Sequence, residues 1–77
     1  MNYFLLKEYT SDRLIYFYQP EGRGEWGEIA YEFADGTAKI VKRASENSEW
    51  HDNHALQQIK KCAKEEHLTK QFTQAWY

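Results

Sequence analysis

Two histidines three positions apart form the most metal-like motif of the chain. His51 and His54 stand in the sequence HDNH, with Asp52 between them and Glu49 just before. Imidazole and carboxylate groups are ligands that zinc accepts. However, this segment begins a predicted helix, whose N-terminal end repels cations, and the sequence holds no second ligand cluster with metal spacing. We therefore expect capping or solvated side chains here, with no metal site and no cofactor.

A single cysteine is the other candidate for chemistry. Cys62 has no second cysteine to pair with, so no intrachain disulfide is expected. As a nucleophile it would need a neighbouring base and an orienting group. It falls on the apolar stripe of the predicted helix, where a small buried thiol is usual. A chain this short also leaves little room for a deep pocket. The sequence therefore predicts no catalytic residues and no enzyme.

The stretch QPEGRGEWGE, residues 19–28, gathers three of the four glycines and the only proline. A phosphate-binding loop would lead into a helix, commonly through a Gly-Lys-Ser/Thr motif, and neither is present here. Three glutamates surround Arg23 and would repel an anion. We interpret the stretch as a connection between two strands. In this interpretation Trp26 folds onto the edge of the core. In the alternative, the loop protrudes, and Arg23 and Trp26, residue types that anchor interfaces, are the predicted contacts to a partner.

Composition points to one small folded domain over residues 1–77. The chain is 42% hydrophobic and 17% aromatic, which suffices for a core. Its formal charge of −2 disfavours tight non-specific binding to nucleic acid. The N-terminal residues show no secretory signal, and no apolar run approaches a membrane span. We expect a cytoplasmic protein that does not contact membranes.

A hairpin is indicated by Asp35-Gly36 between alternating apolar and polar residues. A two-residue turn there pairs Phe33 with Ala38, Tyr31 with Ile40 and Ile29 with Lys42 on one face, and Glu32 with Lys39, Ala30 with Val41 and Glu28 with Arg43 on the other. An earlier hairpin with a loop at residues 9–12 pairs Glu8 with Arg13, Leu6 with Ile15 and Phe4 with Phe17.

Helical spacing of apolar residues predicts one helix from about Asp52 to Glu66, with Ser48 or Asp52 as its cap. The tail LTKQFTQAWY alternates well enough for a last short strand. The predicted fold class is α+β: an antiparallel four-stranded meander, β-β-β-β-α, with one helix on one sheet face and a short fifth strand as an option.

One helix covers one face of such a sheet. The predicted covered face holds Phe4, Leu6, Ile15, Phe17, Ile29, Tyr31, Phe33 and Ile40. The predicted open face holds Tyr3, Leu5, Leu14, Tyr16, Tyr18, Ala30 and Val41. So much exposed apolar surface usually marks a contact site. The predicted partner-binding residues are Tyr3, Leu5, Tyr16, Tyr18, Arg23, Trp26 and Val41. In an alternative arrangement, Phe72, Trp76 and Tyr77 of the tail fold back over this face.

The leading functional hypothesis is a small non-enzymatic protein that binds another protein, or a second copy of itself, through the open face. Residues 1–36 hold three bases and seven acids. In its size, this acidic half and the expected aromatic face, the chain resembles many accessory proteins of phages and mobile elements, including inhibitors of host defence systems. The resemblance is one of size and composition and covers no specific motif.

Two other functions stay open. Four antiparallel strands followed by a helix resemble the topology of the transcriptional-coactivator and Whirly-type single-strand binders, which dimerise, and this resemblance implies tyrosines that stack on bases. Net charge disfavours that function, because Lys7, Lys39 and Arg43 on the predicted open face are offset by Glu28 and Glu32. The other is an oligomer that sequesters a small ligand such as a nucleotide at a subunit interface, held by Arg23, Trp26 and tyrosines.

Overall fold

The computed structural model describes residues 1–46, 48–65 and 68–75 and has the predicted α+β architecture. The elements are β1 (Asn2–Tyr9), β2 (Arg13–Pro20), β3 (Gly27–Glu32), β4 (Thr37–Lys42), α1 (Glu49–Cys62) and β5 (Gln71–Gln74). The strands form one antiparallel sheet in the order β4-β3-β2-β1-β5. The meander, the helix and the fifth strand are confirmed. The alternative arrangement, with Phe72, Trp76 and Tyr77 over the open face, is wrong for Phe72, whose ring stacks on that of the core residue Phe4 with 4.8 Å between ring centres. Trp76 and Tyr77 lie outside the described residues.

The helix begins at the serine that the sequence offered as a cap. Ser48 has extended backbone angles, and its hydroxyl accepts a hydrogen bond from the His51 amide at 3.2 Å. The helix then buries Ala55, Ile59 and Cys62 against the sheet, at the three- and four-residue spacing of one helical face. The covered face of the sheet is therefore the face against which α1 packs.

The core contains two tyrosines that were predicted to face outward. Tyr16 and Tyr18 are both fully buried on the covered face, so their placement on the open face is wrong. Tyrosine can occupy a core when its hydroxyl finds a partner. The Tyr16 hydroxyl donates to the backbone oxygen of Thr69 at 2.7 Å, and that of Tyr18 donates to Asp52 at 3.0 Å. Both polar tips are thus satisfied inside the protein.

The cause of this inversion is a bulge in β1. Near the turn, Tyr9 pairs with Leu14; further along, Leu6 pairs with Tyr16, so Lys7 is an extra residue without a partner in β2. The predicted pairing had no such residue. Because side chains alternate between the faces, one inserted residue reverses which face of β2 meets a given face of β1.

All of β2 is therefore reversed relative to the prediction. Leu14 is fully buried on the covered face, whereas Ile15 and Phe17 lie on the open face. The predicted faces of β1 and β3 are confirmed for Phe4 and Ile29, which are buried in the core.

The second hairpin keeps its predicted faces as far as Ile40 but does not keep its predicted register. Glu32 pairs with Thr37 around a four-residue turn, and Ile29 pairs with Ile40. The Asp35 carboxylate accepts hydrogen bonds from the amide and hydroxyl of Thr37, at 3.1 and 2.7 Å, which holds this wider turn. These bonds lower the pKa of Asp35. The slip of two residues leaves the alternation intact as far as Ile40. Val41 is then an extra residue in β4, so Lys42 lies opposite Glu28 on the open face and not opposite Ile29 as predicted. The predicted ion pairs are also wrong, since Lys39 lies opposite Ala30.

Candidate functional site

The glycine-rich stretch is a connection tied down at both ends, as predicted. Gln19 donates from its side chain to the backbone oxygen of Gly24 at 2.8 Å. Glu25 and Ser45 are joined by two hydrogen bonds, one through each backbone amide, at 2.7 and 3.2 Å. Three residues with positive φ, Glu21, Gly22 and Gly24, turn the chain back on itself. The loop therefore delivers Trp26 to a defined place beside the sheet.

The loop also connects to the start of the helix through a carboxylate. Glu21 accepts hydrogen bonds from the amine of Met1 and from Nε2 of His51, the latter at 3.1 Å. Nδ1 of His51 lies 2.6 Å from the Ser48 hydroxyl. Sequence reasoning missed this group because its members are distant along the chain. Serine, histidine and glutamate are residue types of hydrolytic triads, but this serine already caps α1, so we assign the group a structural role.

The Glu21 carboxylate makes stability sensitive to acid. The hydrogen bond from the Met1 amine, followed by that from His51, lowers the pKa of Glu21 below its usual value of 4.5. A lowered folded-state pKa stabilises the fold above the unfolded-state pKa, and this stabilisation is lost as pH falls through the folded-state value. We expect the stability gap between wild type and Glu21→Gln, measured by urea unfolding, to narrow as pH falls below the ordinary glutamate pKa of 4.5.

The control for this measurement is Glu25→Gln, in the same loop. The stability difference between wild type and Glu25→Gln should not narrow comparably as pH falls. The reason is that the described contacts of Glu25 to Ser45 run through its backbone rather than its carboxylate. A gap for Glu21→Gln that stays constant with pH would contradict the proposed role of its charge.

The open face is the side of the sheet opposite α1. Its apolar members come from four strands and the loop: Tyr3, Leu5, Ile15, Phe17, Trp26, Ala30 and Val41. Tyr3 and Leu5 are each 40% exposed and Val41 is 54% exposed. Exposed aromatic and aliphatic groups side by side on one face are typical of a contact surface. The open face comprises these residues and the charged side chains among them.

An apolar depression lies near the centre of the open face. Leu5, Phe17 and Trp26 line it, and its volume is about 240 Å³. Leu5 and Phe17 are direct cross-strand neighbours. Trp26 also lines a second depression with Tyr3. The ring of Tyr3 packs on the backbone of Gly22, where an added Cβ would lie 3.3 Å from it. The structure thus brings Tyr3, Leu5 and Trp26 together, while their role as contact residues stays a prediction.

Ion pairs lie among the apolar groups of the open face. Lys7, the extra residue of β1, reaches across β2 to pair with Glu28, and its ammonium lies 5.4 Å from the centre of the Phe17 ring. Arg13 pairs with Glu32 at 3.7 Å. Arg23 is exposed on the loop. Arg43, predicted for the open face, instead lines a depression with Asp52 and Leu56 of the helix, so that placement is wrong.

Sequence reasoning missed Ile15 and Phe17 as members of the open face. In the segment LIYFY every position is apolar, so alternation alone does not tell which residues face the helix. The sequence feature that marks the bulge is Lys7, a charged residue at the end of an apolar run. A charged residue at such a position does not by itself reveal a bulge.

Cys62 and Tyr18 are both buried in the core. Burial raises the pKa of the Cys62 thiol, which disfavours its reactive thiolate form. Burial is also the main cause that raises the pKa of Tyr18 to about 12. Within residues 1–46, 48–65 and 68–75, no three His, Cys, Asp or Glu side chains form a group that could hold a metal ion. Over the same ranges, no helix combines the length and apolar character of a membrane span.

Comparison of the chain with protein-family models, curated proteins and solved structures gives no match.

Proposed function

We propose that this chain is a non-enzymatic binding protein that contacts another protein through its open face. The observation that carries the proposal is the continuous apolar surface of Tyr3, Leu5, Phe17 and Trp26 around a depression of about 240 Å³. Interface cores are enriched in aromatic side chains that fill pockets, with charged groups at the rim. The Lys7–Glu28 pair lies beside Phe17 and provides such a charged group, and the Arg13–Glu32 pair lies farther along the same face.

Rigidity favours this proposal. The described contact residues lie on strands or on a loop fixed by hydrogen bonds to Gly24 and Ser45. A preorganised surface loses less side-chain entropy on binding. An accessory protein of a phage or mobile element that blocks a host protein would act through a surface of this kind.

Site-specific photo-crosslinking tests the proposal. A benzoyl-phenylalanine replacing Tyr3 lies on the open face, and the same group replacing Trp50 lies on α1, where the native side chain is 60% exposed. In the cells that encode the protein, we expect a defined cross-linked protein from position 3 and not from position 50. Adding Leu5→Glu should abolish the product, because a carboxylate in an apolar depression must be desolvated on binding.

The matched control for the added charge is Gln57→Glu, on the exposed side of α1. It changes the net charge equally and should leave the cross-link intact. Identical products from positions 3 and 50, or a product that survives Leu5→Glu, would contradict the proposal. A product at twice the mass of the chain would identify the partner as a second copy.

Single-stranded nucleic acid is the second candidate, favoured by three aromatic side chains on one face, Tyr3, Phe17 and Trp26. Aromatic side chains on a sheet can stack on bases. Because Lys7 and Arg13 are already paired with glutamates, we rank this function lower. Fluorescence anisotropy with a labelled oligothymidine at low salt tests it, and binding that Phe17→Ala removes would support it.

A further inference from the structure

The charges of the open face are unevenly distributed. Seven charged side chains occupy its positions: Lys7, Glu8, Arg13, Glu28, Glu32, Lys39 and Lys42. Two acids are engaged, Glu28 with Lys7 and Glu32 with Arg13. Glu8 lies on β1, three strands away from β4. Across the sheet, Glu8 pairs with Ile15, Ile15 pairs with Ala30, and Ala30 pairs with Lys39. The β4 border therefore holds lysines, and the acid without a described ion pair lies on the far side.

Lys39 and Lys42 are the basic groups of the open face without a described ion pair. Lys42 lies opposite Glu28, which is engaged by Lys7, and Lys39 is only the least of the causes that lower the pKa of Asp35. Both lysines are exposed, and among the described residues no ion pair joins either ammonium to a carboxylate. They flank Val41, the extra residue of a second bulge, in β4. The chain as a whole carries a charge of −2, so this border runs against the net charge of the molecule.

Another depression, different from the two described above, lies beside these lysines. Ile15, Ala30 and Val41 contribute apolar groups to it, and its volume is about 390 Å³. Arg13, Glu32 and Lys39 contribute charges, and Glu32 is paired with Arg13. Lys39 is therefore the charged group of this depression without a described ion pair. A carboxylate held there would meet the ammonium of Lys39 over an apolar floor, where a charge pair is less screened than in open water.

The Leu5–Phe17–Trp26 depression and the depression beside Lys39 are separated along β2 by the spacing of alternate residues in a strand. One is lined by Phe17 and the other by Ile15. These residues are two apart in β2, so about 7 Å separates them. An extended segment lying along β2 would place its residues i and i+2 over the two depressions. A large apolar residue suits the first, and an acidic residue suits the second.

We infer that the partner presents an extended acidic segment, with an apolar side chain in the Leu5–Phe17–Trp26 depression and a carboxylate two residues away beside Lys39. This inference rests on the proposed function and specifies the chemistry of the partner. Charge complementarity at the rim sets partner choice and association rate, so the lysine border would select against basic partners.

Titration of the isotopically labelled full chain with synthetic peptides, followed by NMR, tests this inference. The probe is a nine-residue peptide with leucine and glutamate at successive alternate positions and threonine between them. Its controls carry lysine or glutamine in place of glutamate. We expect the glutamate peptide to shift the amide signals of Leu5, Phe17 and Lys39 and to bind at least about tenfold more tightly than the lysine peptide, equivalent to about 1.4 kcal/mol.

Charge reversal provides the second measurement. The double variant Lys39→Glu, Lys42→Glu should lower the affinity for the glutamate peptide about tenfold and raise that for the lysine peptide. The matched control is Lys60→Glu, Lys61→Glu on the exposed side of α1, which makes the same charge change away from the open face. Thermal unfolding of both double variants establishes that each is folded.

The outcomes separate the two proposals. If position 3 cross-links a protein but the glutamate peptide binds no better than the lysine peptide, the open face remains a binding surface and the acidic-partner inference is overturned. Equal effects of the two double variants, or no binding by any peptide, also overturn it. Tighter binding of oligothymidine than of the glutamate peptide would assign the lysine border to nucleic acid instead.

Discussion

Replacing Tyr16 with alanine is expected to lower the free energy of unfolding by about 3–5 kcal/mol, the usual cost of removing a large buried aromatic side chain. Tyr16 is fully buried. Its ring lies 6.0 Å from that of Phe4 and 5.5 Å from that of Phe72, both edge to face. Its hydroxyl also donates to Thr69. Since a chain of 77 residues has roughly 4–12 kcal/mol of total stability, urea unfolding should detect a large loss.

The adjacent residue in β2 is the control. Phe17 lies on the open face and is only half-buried, so Phe17→Ala should cost about 1 kcal/mol, in proportion to the smaller area removed from water. Tyr16→Phe, which removes only the hydroxyl, should also cost about 1 kcal/mol. A larger loss for Phe17→Ala than for Tyr16→Ala would restore the faces that the sequence alone predicted and would remove the basis of the proposed binding surface.

Replacing Gly27 with alanine is expected to cost about 3 kcal/mol or more. An added Cβ would lie 2.5 Å from the Tyr18 ring, 2.6 Å from the Ala44 nitrogen and 2.6 Å from the Lys42 oxygen. Two of these neighbours are backbone atoms, so relief requires β3 and the chain after β4 to separate. Overpacking usually costs about 1–3 kcal/mol, and immobile neighbours place this site at the upper end. Thermal unfolding of the variant measures it.

Gly36→Ala separates this steric effect from backbone strain. Gly36 has φ of 69° in the β3–β4 turn, and an added Cβ would come no closer than 3.5 Å to the Tyr31 hydroxyl. Its expected cost is the left-handed conformation alone, about 1–2 kcal/mol. If Gly27→Ala proved as mild as Gly36→Ala, the close approach of Tyr18 and the segment after β4 to Gly27 would be incorrect.

Local patterns in the sequence were sufficient for the elements and most of their faces. Helical spacing predicted α1, and Ser48 caps it as a short polar residue before such a stripe should. The Asp35-Gly36 dipeptide predicted a hairpin at the right place. Its turn is four residues long and is held by hydrogen bonds from Thr37 to Asp35. The resulting slip of two residues preserves the faces of the side chains as far as Ile40, beyond which the bulge at Val41 reverses them.

The orientation of β2 was decided by packing. Its apolar residues suit either face, and the pairing with β1 depends on whether Lys7 is counted in the ladder. In the folded chain Lys7 has no partner in the β1–β2 pairing. Its ammonium forms an ion pair with Glu28 and lies over the Phe17 ring. Tyr16 and Tyr18 then meet Thr69 and Asp52, which are distant in sequence. A local pattern does not encode such partners.

The sequence alone therefore determined a four-stranded α+β domain with one covered and one open face, and it placed Tyr3 and Leu5 on the open face. That Trp26 of the connecting loop lies beside Leu5 was shown only by the structure. Tertiary contacts were needed to exchange Tyr16 and Tyr18 for Ile15 and Phe17. The physical reason is the two-residue period of a strand: one extra residue moves a whole set of side chains between core and solvent. Only long-range packing shows whether that residue is present in the pairing.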